Sequence, residues 1–186
     1  MTDPRLIGLY SSTPGCGKSM VAQILKDQHQ FEIHPFAGPL KKLTVSFVRQ
    51  FGYSIGDAVD FVYRYKERKI ELIPGHPTTR HLMQTLGTEW GRNLIHRDVW
   101  VDMWHSTLPC LATASTVADD MRKTNEAGAI KDAGGEWWRV VRPGHEGETN
   151  GHASEGALDD LAFDRVIIND GTELDLAKKV AEALAS

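Results

Sequence analysis

The chain has 186 residues, 41% hydrophobic and 25% charged, with a formal net charge of −4. One domain of that length buries roughly 70% of its unfolded surface and needs no disulfide or metal staple. The acidic balance excludes a protein that coats duplex DNA or an anionic membrane, since both require a basic face. Two cysteines, Cys16 and Cys110, suit a reducing, cytoplasmic setting. No apolar run approaches the ~20 residues of a membrane span, and the first residues lack the apolar core of a secretion signal.

In chain order, the apolar run Leu6–Tyr10 predicts a short buried strand. It leads through Ser11-Ser12-Thr13-Pro14-Gly15-Cys16-Gly17-Lys18-Ser19 into the helical pattern Met20, Val21, Ile24, Leu25. A strand, a sharp glycine-bearing turn and a helix N-terminus let backbone amides converge on an anion. Lys18 then offers a mobile charge to the β- and γ-phosphates and Ser19 a hydroxyl to Mg²⁺. Thr13, Pro14, Gly15, Cys16, Gly17, Lys18, Ser19 and Met20 are therefore the candidate phosphate-site residues. Position 12 carries serine where the motif Gly-x-x-x-x-Gly-Lys-Ser opens on glycine. A glycine-bearing turn with an incidental lysine is the alternative.

Residues 31–34 predict a second strand. From about 41 to 108 the chain is mostly helical, an insertion between the second and third strands where a substrate subdomain would sit. Residues 80–94 fit the helical period best. Leu82, Met83, Leu86, Trp90 and Leu94 form one apolar stripe, which places Trp90 in the core; Arg80, Gln84, Gly87, Thr88, Gly91 and Arg92 fall opposite. Two arginines, an amide and bare glycine backbone suit a bound phosphate and base, with a plain solvated face as the alternative. Trp100 and Trp104, at helical spacing, predict core or interface.

Residues 115–118 predict the third strand, followed by Asp119-Asp120-Met121-Arg122. That rim is where ligands of open α/β sheets bind, and a carboxylate there can hold the Mg²⁺ that bridges transferring phosphates. Capping the next helix is the competing use for an Asp pair. Glu136–Val141 predicts the fourth strand. The polar, glycine-bearing stretch of about 139–157 predicts a lid with Arg139 and Arg142 at its base. A plain connection is one alternative. A metal site through His145, Glu146, Glu148, His152 and Glu155 is another, although their spacing matches no standard zinc site. Arg165–Ile168 predicts a fifth strand with Asn169 and Gly171 just beyond it. Leu174, Ala177, Val180, Ala181 and Leu184 then form the apolar stripe of a closing helix. Five strands alternating with helices predict an α/β fold whose parallel sheet is covered on both faces, with a core of 1–40 and 109–186.

Several blocks together resemble a known family: the phosphate loop; Phe36-Ala37-Gly38-Pro39-Leu40-Lys41; Thr79-Arg80-His81-Leu82-Met83-Gln84-Thr85-Leu86-Gly87-Thr88-Glu89-Trp90-Gly91-Arg92; Asp120-Met121-Arg122 with Asn125-Glu126-Ala127; His152-Ala153-Ser154-Glu155; and Ile168-Asn169-Asp170-Gly171. Their order and spacing are similar to those of the phage deoxynucleoside monophosphate kinases, a branch of the nucleoside monophosphate kinase group of P-loop proteins. Lys123-Thr124 departs from that pattern, where relatives more often carry an aromatic and a variable residue.

The resemblance implies a P-loop kinase fold with a five-stranded parallel sheet flanked by helices, a helical substrate-binding insertion and a lid loop. It implies transfer of the γ-phosphoryl group of ATP, with Mg²⁺, to a deoxynucleoside monophosphate for DNA-precursor synthesis. Gly15, Gly17, Lys18 and Ser19 then belong to the ATP phosphates and Mg²⁺, and Asn169 and Gly171 to the adenine side. Phe36, Lys41, Arg80, Gln84, Thr88, Glu89 and Arg92 belong to the monophosphate pocket. Asp120 and Arg122 sit at the reacting centre, Asp120 also as a metal ligand, while Lys18, Arg139 and Arg142 neutralise the moving phosphoryl group. No nucleic-acid polymer and no membrane is an expected partner; a homodimer stays open, and a phage-encoded chain would work in the host cytoplasm. The rival readings are another small-molecule P-loop kinase, such as a dephospho-coenzyme A or sugar-acid kinase, and an ATP-driven switch.

Overall fold

The computed structural model describes residues 5–108, 114–144 and 158–186. Cys110, the five acidic and histidine residues considered for a metal, and the lid beyond residue 144 lie outside them. In chain order the elements are β1 (Leu6–Tyr10), α1 (Lys18–His29), β2 (Glu32–Ile33), α2 (Gly38–Arg49), α3 (Ile55–Tyr63), α4 (Thr79–Gln84), a π-helical segment (Thr85–Ile95), α5 (Val99–Ser106), β3 (Thr116–Ala118), α6 (Thr124–Asp132), β4 (Glu136–Val141), β5 (Arg165–Ile168) and α7 (Glu173–Ala185). They fall into two compact units, Met1–Phe36 with Thr107–Ser186, and Ala37–Ser106.

The first unit is an α/β fold built on a parallel sheet. Its five strands are parallel in the order β2-β3-β1-β4-β5. Every residue of β1 is buried, as expected of a central parallel strand covered on both faces. Ile7, Leu9, Val21, Leu25, Val117, Trp138, Val140 and Val180 are among the side chains of the core. The chain leaves β1 toward β2 on one side, and the connection from β3 returns past it to β4 on the other. The carboxyl end of β1 is therefore the switch point where such sheets bind ligands. The register sets Tyr10 beside Arg139 at that end.

The closing helix keeps most of its expected stripe: Ala177 and Val180 are buried and Leu184 packs against the core, while Leu174 and Ala181 are exposed. Leu176, Ala177, Val180 and Ala183 are the buried residues of α7, whereas Leu174 is 67% exposed. Leu174 sits in the first turn, where Thr172 and Asp175 close a capping box, the Asp175 N–H donating to Thr172 Oγ1 at 3.3 Å.

The second unit is helical. Val45 and Val48 of α2, Ala58, Phe61 and Val62 of α3, and Ile70 and Ile73 build its core. Ser54 and Thr78 cap α3 and α4 by accepting the N–H of Asp57 at 3.1 Å and of His81 at 3.2 Å. After α4 the helix widens: the His96 N–H donates to the Gly91 carbonyl, five residues back, at 3.0 Å. A wheel drawn at 3.6 residues per turn therefore fails here. Gly87 and Gly91 are buried, and Trp90 is 43% exposed instead of lying in the core. The glycines make room for Trp100, whose Nε1 donates to the Gly87 carbonyl at 2.8 Å; a Cβ on Gly91 would lie 2.5 Å from that same nitrogen. The bare backbone read as a ligand face is thus a packing face. Trp100 and Trp104 are buried, in line with the expectation. Among the described residues, no helix is long and apolar enough to cross a membrane.

Candidate functional site

Ser11, Ser12, Thr13, Pro14 and Lys18 line one pocket together with Tyr10 and Arg122. Gly15 and Gly17 take φ of 78° and 103°, the left-handed region that glycine enters without penalty. Lys18, half-buried, donates to Ser11 Oγ, which donates onward to the Thr13 carbonyl at 2.8 Å. Burial first, and the Arg122 charge next, hold the Lys18 ammonium below its ordinary pKa, while Asp119 and Asp120 act in the opposite direction. The loop lysine, an arginine and the two carboxylates after β3 thus share one electrostatic neighbourhood.

The remaining loop residues divide by face. Cys16 is buried in the core cluster with Val21 and Leu25, and its sulfur lies 3.0 Å from Thr13 Oγ1. Its thiol is a packing group. Pro14, Gly15, Ser19 and Met20 are exposed. Asn169, just past β5, donates from Nδ2 to the Cys16 carbonyl at 3.0 Å, and Gly171 packs against Asp175 of the α7 cap.

After β3, Asp120 accepts the Phe36 N–H at 2.7 Å. The first turn of α6 is closed by buried Glu126, whose Oε2 accepts the N–H of Arg122 at 2.8 Å and of Lys123 at 3.1 Å. Asp120 is thereby left at the loop and not on the helix cap. Arg139 is not on a lid: it lies within β4, and its Nη2 donates to Ser12 Oγ at 2.6 Å and to Asp159 Oδ1 at 2.8 Å. Arg142 follows the end of β4 and is exposed.

In the helical unit, Lys41 lies over the Tyr63 ring at 5.2 Å, and Arg80 is paired through Nε with Glu67. Gln84, Thr88 and Glu89 are exposed and Arg92 is half-buried. Glu89 lines a cavity of about 370 Å³ with Thr44, Phe47, Leu82, Thr85, Leu86, Trp90 and Leu94. The stripe assigned to the core is in large part the wall of this cavity.

A family model described as deoxynucleotide monophosphate kinase matches residues 53–180. The chain belongs to this family. A protein of Acanthamoeba polyphaga mimivirus, provisionally named a deoxynucleotide monophosphate kinase, is 29% identical over 183 residues, covering 90% of this chain and 89% of its own. Among solved structures, the dephospho-CoA kinase from Campylobacter jejuni superposes with a TM-score of 0.51 at 11% identity, over 99% of this chain and 97% of that one; this likeness shows the fold. The protein is a nucleotide kinase, a transferase acting on a nucleotide monophosphate, and its family implies ATP as donor.

The kinase family also implies Mg²⁺. Ser19 and Asp120 offer a hydroxyl and a carboxylate, hard oxygen donors of the type Mg²⁺ takes alongside phosphate oxygens, and the acidic pair already acts on the Lys18 charge. The donor set therefore fits. Among the described residues, no group of three or more His, Cys, Asp or Glu is placed to hold a metal. Sequence reasoning missed Asp159, Phe47 and Thr44. Asp159 carries no motif, and the signal that existed was the need of Arg139, fixed on a strand, for an acidic partner.

Proposed function

We propose that this kinase transfers the γ-phosphoryl group of ATP to a deoxynucleoside monophosphate, giving the diphosphate. The observation that carries the reading is the pocket in which Lys18 and Arg122 meet the phosphate loop, in a chain of this family. Gly15, Gly17, Lys18 and Ser19 hold the ATP phosphates, with Asn169 and Gly171 toward the adenine. Ser19 and Asp120 would hold Mg²⁺, which would supply positive charge to the phosphate oxygens. The bond between the γ-phosphorus and its bridging oxygen breaks as an acceptor phosphate oxygen forms a new one. That oxygen is already anionic, so no general base is required, and the protein contributes alignment and charge. Lys18, Arg122 and Arg142 supply the charge.

Arg80 and Arg92 take the acceptor phosphate, for which a planar guanidinium is suited; Arg80 must then exchange Glu67 for phosphate. Glu89 has a different role from its neighbours, because a carboxylate repels phosphate. It lines the cavity with Phe47 and Trp90, where aromatic rings stack on a base and a carboxylate accepts from base N–H groups. Phe36, Lys41, Gln84 and Thr88 complete the acceptor set. The helical unit would serve as the substrate-binding insertion, and the stretch that follows Arg142 as the lid.

The test is ADP formation with Mg²⁺-ATP against dTMP, dGMP, dCMP, dAMP and their ribose counterparts. Turnover that requires a deoxynucleoside monophosphate is the expected result. ATP hydrolysis independent of any acceptor, or turnover only on an acceptor of another class such as dephospho-coenzyme A, would overturn it.

A further inference from the structure

The opening residue of the phosphate loop is serine, where the motif has glycine, and that hydroxyl is the centre of a network. Ser12 Oγ donates to Asp159 Oδ1 at 2.5 Å while accepting from Arg139 Nη2 at 2.6 Å. The same carboxylate oxygen also receives Arg139 Nη2 directly at 2.8 Å and the Tyr10 hydroxyl at 3.1 Å. One oxygen thus gathers donors from the end of β1, from the first turn of the loop and from β4. The guanidinium is fixed a second way: its carbon lies 6.0 Å from the Tyr10 ring and 5.7 Å from the Phe163 ring, and those rings stack at 5.4 Å.

We propose that Arg139 and Asp159 form a bracket that holds the phosphate loop in its ATP-binding shape through Ser12, so that Arg139 is a positioning residue for the donor nucleotide and not a group that touches the moving phosphoryl. The inference rests on the reading of this loop as the ATP site. Its physical basis is the double duty of the hydroxyl. A serine or threonine donates to the carboxylate and accepts from the guanidinium at once; alanine or glycine does neither, and the direct Arg139–Asp159 pair then survives without reaching the loop. Ser12 also lines the pocket that holds Lys18 and Arg122, so displacing it changes the wall against which the phosphates lie. Bonds to charged partners are about twice as strong as neutral ones, which suits them to holding a loop that opens without its usual glycine.

The test reads Mg²⁺-ATP affinity by calorimetry without any acceptor, and steady-state kinetics with one. Ser12→Ala and Arg139→Ala should each weaken ATP binding about tenfold, the scale of one charge-assisted hydrogen bond. They should raise the KM for ATP while leaving kcat and the acceptor KM nearly unchanged. Ser12→Thr, which keeps the hydroxyl, should retain wild-type affinity, and Ser12→Ala/Arg139→Ala should be no worse than either single change. Additive losses, or unchanged ATP affinity in folded Ser12→Ala, would overturn the bracket; a fall in kcat at unchanged affinity in Arg139→Ala would return Arg139 to phosphoryl stabilisation. If Arg139→Ala does not fold, Ser12→Ala and Asp159→Asn carry the same comparison. Because binding is read without an acceptor, a wild-type chain that binds ATP but phosphorylates no deoxynucleoside monophosphate would sink that substrate reading and leave this one to stand or fall on the affinities.

Discussion

Asn169 and Gly17 occupy one space between them: Asn169 Nδ2 sits 2.5 Å from where a Cβ on Gly17 would be, while bonding the Cys16 carbonyl at 3.0 Å. The amide reaches the loop because residue 17 is glycine, and the loop keeps its turn because the amide ties it to the end of β5. Gly17→Ala meets two penalties, the displaced amide and a φ of 103°, the latter a left-handed-side backbone that costs an L-residue roughly 1–2 kcal/mol. ATP affinity should fall at least tenfold, an effect of that size. Gly17→Ala/Asn169→Ala should recover little, since the backbone strain persists. Full recovery of ATP binding in the double variant would mean that the clash alone mattered.

Lys18 opposes the stability of the fold it serves. Its ammonium is held below the ordinary lysine pKa by burial and by Arg122, so the unfolded chain takes up that proton more readily than the folded one. Between the depressed folded value and the ordinary value the unfolded state holds more protons, and stability rises with pH across that window. Lys18→Met removes the buried charge. Turnover should vanish while the melting temperature at neutral pH rises by about 2 °C, the shift that goes with a gain below 1 kcal/mol in a domain of this size. Calorimetry at neutral pH checks it; a lower melting temperature would show that the bond to Ser11 outweighs the burial.

If the cavity beside Glu89 takes the acceptor, as proposed, variants that line it should act on the acceptor and not on the donor. Trp90→Ala should raise the acceptor KM several-fold by removing one stacking surface, typically worth 1–3 kcal/mol per base, and leave the KM for ATP unchanged. Glu89→Gln exchanges an acceptor-only group for one that also donates, and should therefore alter the ratio of kcat/KM among the four bases more than it alters their sum. Equal losses on all four would assign Glu89 to the fold instead of to the base.

Acid stability should depend on Glu136. Burial alone would push its carboxyl up, but the Trp138 indole, donating at 3.0 Å, and the Arg5 guanidinium hold it net below its ordinary value. A depressed folded pKa stabilises above the unfolded value and is lost as pH falls through the folded one. Glu136→Gln should thus melt earlier than the parent at pH 7 and converge with it once the pH has fallen through the depressed folded value, where both side chains are neutral. A constant gap across that range would leave packing as the cause.

The sheet was legible because β1 is apolar at every position and the other strands are short runs bounded by glycine, aspartate or proline; all five stand where they were expected. The loop was legible for a related reason, since glycine spacing and a lysine at a helix start carry their chemistry locally. The helix at 80–94 was legible as an element but not as a face, because the wider π turn moves Gly87 and Gly91 inward and Trp90 outward, and no periodicity at 3.6 residues can show that. Arg139 was legible as a candidate cation beside the loop, whereas its partner Asp159, 20 residues away, is signalled by nothing local. The stripe of α7 was legible in Ala177, Val180 and Leu184, whereas Leu174 belongs to the capped first turn.

Cys16 gives the phosphate loop a second allegiance. With its thiol packed among Val21 and Leu25, one side of the loop is hydrophobic core while the other lines a pocket with Lys18 and Arg122, so the loop should open only when the sheet's own packing opens. Amide exchange at Thr13 and Cys16 should therefore run at the rate of β1 rather than at that of a surface turn, and thiol reagents should label position 16 only in chains that have unfolded.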